Sequence, residues 1–271
     1  MQPEVFDAFR DFIHVQTGLT MRRGKESLLR ARISERMRAL GLEDEGAYLT
    51  RVRSDTTGAE LRVFINAITT NTTSFFRAPE HFDTLGAYAR AWDAQGQTRM
   101  RVWCSASSTG EEPWSMAMVL ADALPDLARR DVKVLATDID TDVLAEAKAG
   151  RYRPESLTTV PPALRNRSFV QERHPEGVTW SIRPELRPMV SFARLNLVNE
   201  PWPMRGPFDV IFCRNVLIYF DNDTRLRVLT SMIRLLHPYG LLVLGPSESA
   251  MGLDHLVRRT TDSVYVPREI R

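Results

Sequence analysis

Two acidic positions, each beside the predicted end of a strand, are the first residues in this chain with an evident chemical use. The stretch RVWCSASSTGEEPWSMAMVL is typical of a strand, a tight turn and a helix, and Glu111 and Glu112 begin that helix. The apolar run VKVLATD ends at Asp138. A carboxylate at the end of a second strand can accept hydrogen bonds from a ribose diol. Simpler explanations exist for both positions, because glutamates offset a helix dipole and aspartates cap helices, although Asp140 fits the cap better.

The turn after the first strand indicates which ligand those carboxylates would meet. It reads CSASSTGEE and contains a single glycine, Gly110, whereas a loop that cradles phosphate is normally richer in glycine. A carboxylate at the start of the helix would also repel a phosphate. Acidic residues at both strand ends, without a phosphate loop, favour a nucleoside that carries no phosphate. S-adenosylmethionine is the common cofactor of that kind.

Polar residues also follow the apolar run FDVIFC. Arg214 and Asn215 come directly after it. Because unpaired polar groups are costly to bury, we expect both to emerge at the carboxyl edge of the sheet, over the ligand. Asn215 is the best candidate to hold the methionyl amine or carboxylate. Tyr219 either points back at the methyl group or packs as an aromatic side chain on the following helix.

The two cysteines predict neither a metal site nor a nucleophile. Cys104 and Cys213 are far apart and match no zinc spacing. Each lies at the end of a predicted strand, and those two strands should be neighbours in the sheet. We therefore interpret both as small packing residues and predict no bound metal.

The elements that must position these residues follow from hydrophobic periodicity. Five short apolar runs are typical of strands: RVWC, VKVLATD, PMVSFARLNL, FDVIFCRN and GLLVLGPSE. Helical patterns separate most of them, with PWSMAMVLADAL after the first, TDVLAEAKAG after the second and NDTRLRVLTSMIRLL after the fourth. Buried strands that alternate with helices predict an α/β fold with a parallel, doubly wound sheet.

Three parts of the chain are predicted around that sheet. Residues 1–70 carry apolar residues at helical spacing, with a helix end expected at Gly41, and are predicted to form an all-helical domain. Residues 71–98 are predicted to link it to the sheet domain, residues 99–271, and to contribute to its site. Residues from about 152 to 188 interrupt the rhythm with several prolines, and TWSIRPEL within them looks like a strand. They are predicted to form a small inserted β subdomain.

Composition sets only broad limits. The 271 residues are 43% hydrophobic and 26% charged, which is ordinary for a globular protein, and the net charge of +2 says little about partners. No apolar run approaches the roughly 18 to 20 residues that span a bilayer, and the N-terminus lacks the layout of a signal peptide. We therefore expect a cytoplasmic protein without direct membrane insertion and, since no long heptad seam is present, a monomer.

Five blocks of the sequence together resemble the CheR family of chemotaxis receptor methyltransferases, over nearly the whole chain. They are ITTNTTSFFR (68–77), WCSASSTGEEPWS (103–115), ATDID (136–140), FDVIFCRNVLIYF (208–220) and GPSES (245–249). One block alone would be weak, but the five in this order are highly specific. The resemblance implies a helical N-terminal domain, a Rossmann-like class I methyltransferase sheet and a small β subdomain inserted in it.

The resemblance also implies a reaction. Members of the family transfer a methyl group from S-adenosyl-L-methionine to glutamate carboxylates on the cytoplasmic helices of chemoreceptors, with S-adenosyl-L-homocysteine as the product. By resemblance, Arg77 and Tyr219 lie at the reacting methyl group and are the expected catalytic residues. A glutamate is already ionised at neutral pH, so we expect these two side chains to orient the acceptor or cofactor rather than to act as acid and base.

The expected cofactor contacts combine this resemblance with the strand-end argument. They are Asn71, Thr73, Arg77, Glu112, Asp138, Asn196, Leu197, Arg214 and Asn215. By resemblance, Asn196 and Leu197 flank the adenine. Glu112, which the resemblance favours over Glu111, joins Asp138 at the ribose.

A basic run on the second predicted helix suggests a receptor-binding surface. Arg30, Arg32, Arg36 and Arg38 lie on it, opposed by Glu35. Such a run is ordinarily a solvated face. Acidic receptor helices would nevertheless be steered towards it, and the resemblance supports a receptor role for this helix. The predicted receptor contacts are Arg32, Arg36 and Arg38, and Glu35 departs from the family pattern.

Two other functions stay open at this point. The basic helix would permit a nucleic-acid methyltransferase, since phosphate contacts need arginine and lysine. The low net charge and the sequence CRNVLIYF, where a base-amine methyltransferase would carry an acidic or proline-aromatic motif, argue against it, and no nucleic acid is expected as a partner. The other function is a non-catalytic protein that binds S-adenosylmethionine and signals through partners.

Overall fold

The computed structural model describes residues 1–124, 126–175 and 177–268. Its first part is all-helical, as predicted, with α1 Pro3–Thr17, α2 Glu26–Ala39, α3 Glu45–Ser54 and α4 Ala59–Ile68. The apolar sides of these helices meet in one core, in which Phe9, Tyr48 and Phe64 are fully buried. Helix α2 ends just before Gly41, which has a positive φ of 67°, as expected for a helix stop.

A second part of the chain is built on two sheets. In chain order the strands are β1 Arg99–Cys104, β2 Asp131–Asp138, β3 Arg151–Tyr152, β4 Phe169–His174, β5 Gly177–Ile182, β6 Val190–Arg194, β7 Phe208–Cys213, β8 Leu236–Leu244, β9 Val257–Thr261 and β10 Val264–Pro267. The further helices are α5 Pro79–Ala94, α6 Glu111–Ala123, α7 Thr141–Ala149, α8 Pro162–Ser168 and α9 Asn222–Arg234.

The larger sheet has seven strands in the order β6-β2-β1-β7-β8-β10-β9. The first five of these are parallel, which confirms the predicted doubly wound sheet. β10 runs antiparallel to both β8 and β9, a terminal hairpin that the sequence pattern did not predict. Parallel strands present their carboxyl ends at one edge, so the loops after β1, β2 and β7 lie together.

Alternation along β1 and β7 sends their side chains to two different cores. Cys104 and Phe212 belong to the core on one face of the sheet, and Trp103 and Cys213 belong to the core on the other. The two strands are direct neighbours, as predicted. Both cysteines are free and fully buried, and burial raises the pKa of each thiol, so they pack rather than react.

The smaller sheet is an antiparallel insertion with the strand order β3-β5-β4. The predicted strand TWSIRPEL is extended only as far as Ile182, where β5 ends. Tyr152 and Phe169 from this sheet pack edge-on against Phe75, a residue of the segment that enters the sheet domain. The insertion therefore supports the segment that leads into the predicted site.

Helix α5 occupies much of the stretch 71–98, for which the sequence pattern predicts only a linker. Its Phe82, Leu85 and Trp92 are buried in the same core as α6. The stretch therefore adds a helix to the layer that covers the sheet, and only the residues before Pro79 and the short turn at 95–98 are irregular. The division of the chain at residues 70 and 98 stays a prediction.

Candidate active site

A cavity of about 430 Å³ lies between the helical part and the carboxyl edge of the larger sheet. The volume falls in the usual range for a small-molecule site. Its walls come from the loops after β1, β2 and β7, from the segment before α5 and from the turn between α1 and α2. Nine residues predicted as functional line it: Arg32, Asn71, Thr73, Arg77, Glu112, Asp138, Arg214, Asn215 and Tyr219.

The loop after β1 needs its one glycine for packing. Gly110 has φ +98°, and a Cβ there would lie 2.8 Å from both Ala147 Cβ and Tyr152 Oη. Any other residue would strain the backbone and collide with α7 and β3. Gly110 thus lets α6 begin close to its neighbours, and Ala106, Ser108 and Glu112 from the same region line the cavity.

A buried ion pair joins Glu112, at the start of α6, to Arg214, after β7. Nη1 of Arg214 donates to Glu112 Oε2 at 2.8 Å, and its Nη2 donates to the carbonyl oxygen of Arg77. The thiol of Cys104 donates to Glu112 Oε1 at 3.3 Å. Burial raises the pKa of Glu112, and the nearby guanidinium partly opposes that rise. The pair therefore ties α6, β7 and the segment before α5 together below the cavity.

Asp138 closes β2 with its carboxylate buried at the cavity wall. Oδ2 accepts a hydrogen bond from the backbone N–H of Ser108 at 2.8 Å, and Oδ1 accepts one from that of Asp140 at 3.0 Å. Burial raises the pKa of Asp138, while both backbone donors lower it. The side chain is thus held in place at the position where the strand-end argument expects a ribose-binding acceptor.

Asp140 caps α7, as predicted, and also holds the segment that enters the sheet domain. Its Oδ1 accepts from the backbone N–H groups of Asp142 and Val143. Its Oδ2 accepts from Thr69 Oγ1 and from Asn71 Nδ2, both at 2.7 Å. One carboxylate therefore both completes the start of α7 and orients Asn71, while the ligand-binding role of this region stays a prediction.

The loop after β7 places Asn215 and Tyr219 on the cavity. Asn215 has a positive φ of 59°, and residues Leu217–Tyr219 form a single 3₁₀ turn before α9. The carbonyl oxygen of Tyr219 accepts from both the N–H and the Oγ1 of Thr20, at 2.7 and 2.6 Å. The helical part thus fixes the backbone of Tyr219, whose side chain is half-buried and lines the cavity.

Comparison with known families matches both parts of this arrangement. Residues 71–266 match the family model described as CheR methyltransferase, SAM binding domain. Residues 4–69 match the one described as CheR methyltransferase, all-alpha domain. The chain belongs to the CheR methyltransferase family. Its fold is accordingly an all-helical domain followed by a Rossmann-like methyltransferase sheet, and its cofactor is S-adenosyl-L-methionine.

Individual relatives agree with this assignment. Chemotaxis protein methyltransferase 2 of Pseudomonas aeruginosa is 40% identical over 97% of this chain and 93% of its own length. Chemotaxis protein methyltransferase of Escherichia coli is 42% identical over 94% of this chain and 87% of its own length. The solved N-methyltransferase NodS from Bradyrhizobium japonicum WM9, in complex with S-adenosyl-L-homocysteine, aligns over 61% of this chain and 60% of its own, with 15% identity and a TM-score of 0.34. That structural likeness is too weak to add to the assignment.

The donor set of the cavity fits the family's cofactor. Asp138 offers a buried carboxylate to hydroxyl groups, and Asn215 offers an amide to an amino or carboxylate group. Glu112 supplies a second buried carboxylate, which is paired with Arg214 and can still accept a hydrogen bond from a ligand hydroxyl group. Within the described ranges, no group of three or more histidine, cysteine or acidic side chains could hold a metal ion.

Asn196 and Leu197 do not line the cavity. Asn196 Nδ2 donates to the carbonyl oxygen of Gln16 at 2.7 Å and so joins the sheet domain to the end of α1. Leu197 is buried in the core on the far face of the sheet. The contact of both residues with adenine stays a prediction.

The predicted receptor contacts on α2 differ in their surroundings. Arg32 lines the cavity and donates to the carbonyl oxygen of Thr69 and to Thr70 Oγ1, both at 2.8 Å. Arg36 donates to Glu60 Oε1 at 2.9 Å, in an ion pair that joins α2 to α4. Arg38 is exposed and lies away from the cavity. The receptor role of all three stays a prediction.

The turn between α1 and α2 is a part of the site that sequence reasoning missed. Leu19, Thr20, Met21, Arg22 and Lys25 all line the cavity. Two glycines flank this turn in the sequence QTGLTMRRGK, which signals a turn but not its location. Its place over the cavity depends on how the helical part docks on the sheet.

None of the helices in the described part of the chain is long and apolar enough to span a bilayer.

Proposed function

We propose that the protein transfers the methyl group of S-adenosyl-L-methionine to glutamate side chains on the cytoplasmic helices of chemoreceptors, forming glutamyl methyl esters during chemosensory adaptation. The observation that carries the proposal is the cationic lining of a cavity that belongs to a CheR methyltransferase. Arg22, Lys25 and Arg77 line it, and none of them pairs with a carboxylate in the part of the chain that the structure describes. Ionised glutamates are the acceptors that such a lining attracts.

Esterification of a glutamate requires positioning more than acid–base catalysis. The ordinary pKa of a glutamate is about 4.3, so the acceptor is already ionised at neutral pH. S-adenosyl-L-methionine, when bound, supplies an electrophilic methyl group on a sulfonium. A carboxylate oxygen forms a bond to that carbon while the carbon–sulfur bond breaks and its electron pair stays on sulfur. Opposite charges are neutralised in this step, so partial exclusion of water favours it.

Within this proposal, the residues of the cavity divide into two groups. Asp138 and Glu112 accept hydrogen bonds from the cofactor, and Asn215 holds its methionyl end. Arg77 and Tyr219 orient the acceptor and the reacting methyl group. Arg77 is exposed, and its only described side-chain hydrogen bond goes to the carbonyl oxygen of Thr72 at 3.2 Å, so its guanidinium remains available to an incoming carboxylate. Correct placement of the two reactants supplies the larger part of the rate enhancement.

The receptor surface in this proposal extends from the cavity along α2. Arg30 in this basic run and Arg23, which precedes α2, are already paired, with Glu45 at 2.6 Å and with Asp7 at 3.0 Å respectively. Arg36 is likewise engaged by Glu60, so a receptor carboxylate would compete with an internal one there. Arg32 and Arg38 have no carboxylate partner within the described residues and are the better-placed members of the predicted set.

The test is methyl transfer with a readout that separates esters from other products. Purified protein is incubated with methyl-labelled S-adenosyl-L-methionine and with membranes that contain chemoreceptors, and volatile label released by base is counted. A glutamyl methyl ester releases methanol under base, whereas a methylated base or amine does not. Base-labile label on a membrane protein supports the proposal. Base-stable label would replace it with a nucleic-acid or amine methyltransferase.

A pair of matched tyrosine variants sharpens this test. Tyr219→Phe removes one hydroxyl from the cavity, and Tyr239→Phe removes one from a tyrosine that is 74% exposed and lies outside it. Tyr219→Phe should slow transfer at least about tenfold with little change in cofactor affinity, whereas Tyr239→Phe should match the unmodified protein. Full activity of Tyr219→Phe would remove this residue from the catalytic set. Cofactor binding without transfer to any acceptor would favour a non-catalytic signalling protein.

A further inference from the structure

Glu248 has a position that no part of the site described so far explains. It lies after β8, within the block GPSES, and is only 8% exposed. It is not among the residues that line the cavity, and its carboxylate contacts the backbone of the loop after β7. We propose that Glu248 is a positioning residue for methyl transfer, which holds Asn215 and Tyr219 in their working geometry without touching either reactant. The proposal rests on the proposed function.

Three backbone N–H groups converge on this carboxylate. Oε2 accepts from Asn215 at 2.8 Å and from Gly245 at 2.7 Å, and Oε1 accepts from Leu217 at 2.8 Å. Hydrogen bonds to an ionised acceptor are about twice as strong as neutral ones. A carboxylate is the only ordinary side chain that can serve all three donors, because a glutamine would turn an N–H₂ group towards one of them. Glu248 therefore fixes two residues of the loop to the end of β8.

The loop that Glu248 holds needs such an anchor. Asn215 has φ 59°, a left-handed conformation that is uncommon for a residue other than glycine and that costs of the order of 1 kcal/mol or more. The hydrogen bond to its N–H offsets this cost in the arrangement that places Asn215 on the cavity wall. A second hydrogen bond, to Leu217, fixes the start of the 3₁₀ turn that ends at Tyr219.

Close packing around the carboxylate supports a dedicated site. A Cβ at Gly245 would lie 2.5 Å from Glu248 Oε2 and 3.1 Å from the backbone nitrogen of Asn215. Only glycine therefore allows the end of β8, the carboxylate and the loop to approach as they do. The next residue, Ser249, is also fixed, since its carbonyl oxygen accepts from Arg225 Nη1 at 2.8 Å. Both sides of the contact are thus anchored to regular elements.

The loop is held from the opposite side by the helical part. Thr20 donates twice to the carbonyl oxygen of Tyr219, as described above, so the two contacts together fix both ends of the segment from Asn215 to Tyr219. Loss of Glu248 would leave only the second of them. The loop would then sample other conformations, and the fraction of molecules ready to bind and react would fall.

The experiment compares Glu248→Gln with Asp254→Asn. Asp254 is an exposed acid of the same region with no side-chain hydrogen bond among the described residues. Binding of S-adenosyl-L-homocysteine is measured by titration calorimetry, which needs no methyl acceptor, and transfer is measured separately. Glu248→Gln should weaken binding about tenfold or more and lower kcat, because one charge-assisted hydrogen bond is lost. Asp254→Asn should leave both unchanged.

A double-mutant cycle with Tyr219→Phe distinguishes positioning from a general loss of structure. If Glu248 acts through this loop, the double variant loses less kcat than the product of the two single fold-losses. If the two substitutions act independently, their fold-losses in kcat multiply. Unchanged binding and kcat in Glu248→Gln, or a lower melting temperature with normal binding and kcat in the folded protein, would overturn the proposal. If the acceptor proved not to be a glutamate, the binding result would still stand, so failure of the proposed function is seen separately.

Discussion

Removal of the arginine from the buried pair below the cavity should be strongly destabilising. In Arg214→Met the apolar stem is kept, but Glu112 loses the cation at 2.8 Å while it remains only 9% exposed. Removal of one partner from a buried ion pair costs about 3 to 5 kcal/mol. The guanidinium also lies 5.6 Å from the ring of Phe82 and 5.7 Å from that of Phe212, so its loss removes cation–π contacts as well. For a domain of this size the expected drop in melting temperature is about 6 to 20 °C.

The pH dependence of this loss identifies its cause. Burial raises the pKa of Glu112 above the ordinary value of a glutamate, and Arg214 opposes the rise, so removal of the arginine raises the pKa further. At pH values between the pKa of Glu112 in the unfolded chain and its higher pKa in the folded variant, the folded protein binds more protons than the unfolded chain. Its stability therefore falls as the pH rises through that window, and the loss is complete above the folded pKa. The deficit of Arg214→Met should be largest at pH 8 and smaller at pH 5.

Thermal unfolding followed by circular dichroism at the two pH values measures both effects. Arg62→Met is the matched control, because Arg62 is exposed on α4 and should change stability by no more than about 0.5 kcal/mol. The double variant Arg214→Met/Glu112→Gln removes the unpaired charge and should recover at least half of the loss at pH 8. A melting temperature for Arg214→Met within about 3 °C of the unmodified protein, or a deficit independent of pH, would refute the reasoning.

Three further outcomes follow from other contacts at the site. Asp138→Asn should weaken binding of S-adenosyl-L-homocysteine about tenfold or more, measured by calorimetry at pH 8, since an amide has one acceptor oxygen instead of two. In the unmodified protein this affinity should fall as the pH drops through the folded pKa of Asp138, which burial raises, and a flat profile down to pH 5 would contradict the role of its ionised form. Asp140→Ala should cost about 0.5 to 2 kcal/mol as a lost helix cap and should also weaken cofactor binding, because Asn71 loses its partner. If Asp140→Ala lowered stability and left cofactor binding unchanged, Asp140 would act as a helix cap only and would have no role in the site.

The parts of the site that the sequence predicted are those that a local pattern encodes. Asp138 and Asn215 each follow an apolar run, and polar residues directly after a buried parallel strand emerge at its carboxyl edge. The same rule predicted that Arg214 lies at the cavity. It did not predict the ion pair of Arg214 with Glu112, which joins residues 102 positions apart. Strand ends are local, whereas partners across a sheet depend on the strand order.

The parts that the sequence did not predict differ in whether a signal existed. Helix α5 carried one, since Phe82, Leu85, Ala89 and Trp92 are spaced for a single helical face and Pro79 suits the first turn. The edge strand β9 carried almost none, because after Val257 its side chains are exposed and polar. The turn between α1 and α2 could not be placed over the cavity by any local pattern, because its position is set by the docking of the helical part.

The site is held together by single polar side chains that reach from one element to the backbone or side chain of another. Asp140 holds the segment before α5 and Arg214 holds its end, while Thr20 and Glu248 hold the two ends of the loop after β7. The proposed glutamate acceptor is already ionised and has little need of acid–base groups, so under this proposal the rate depends on how well such contacts fix the reactants. Substitutions of these four residues should therefore reduce methyl transfer. None of them needs to take part in its chemistry: Asp140, Thr20 and Glu248 hold backbone or side chains in place, and Arg214 is paired with the buried carboxylate of Glu112. A methyltransferase of this kind is best understood through the contacts that position its loops.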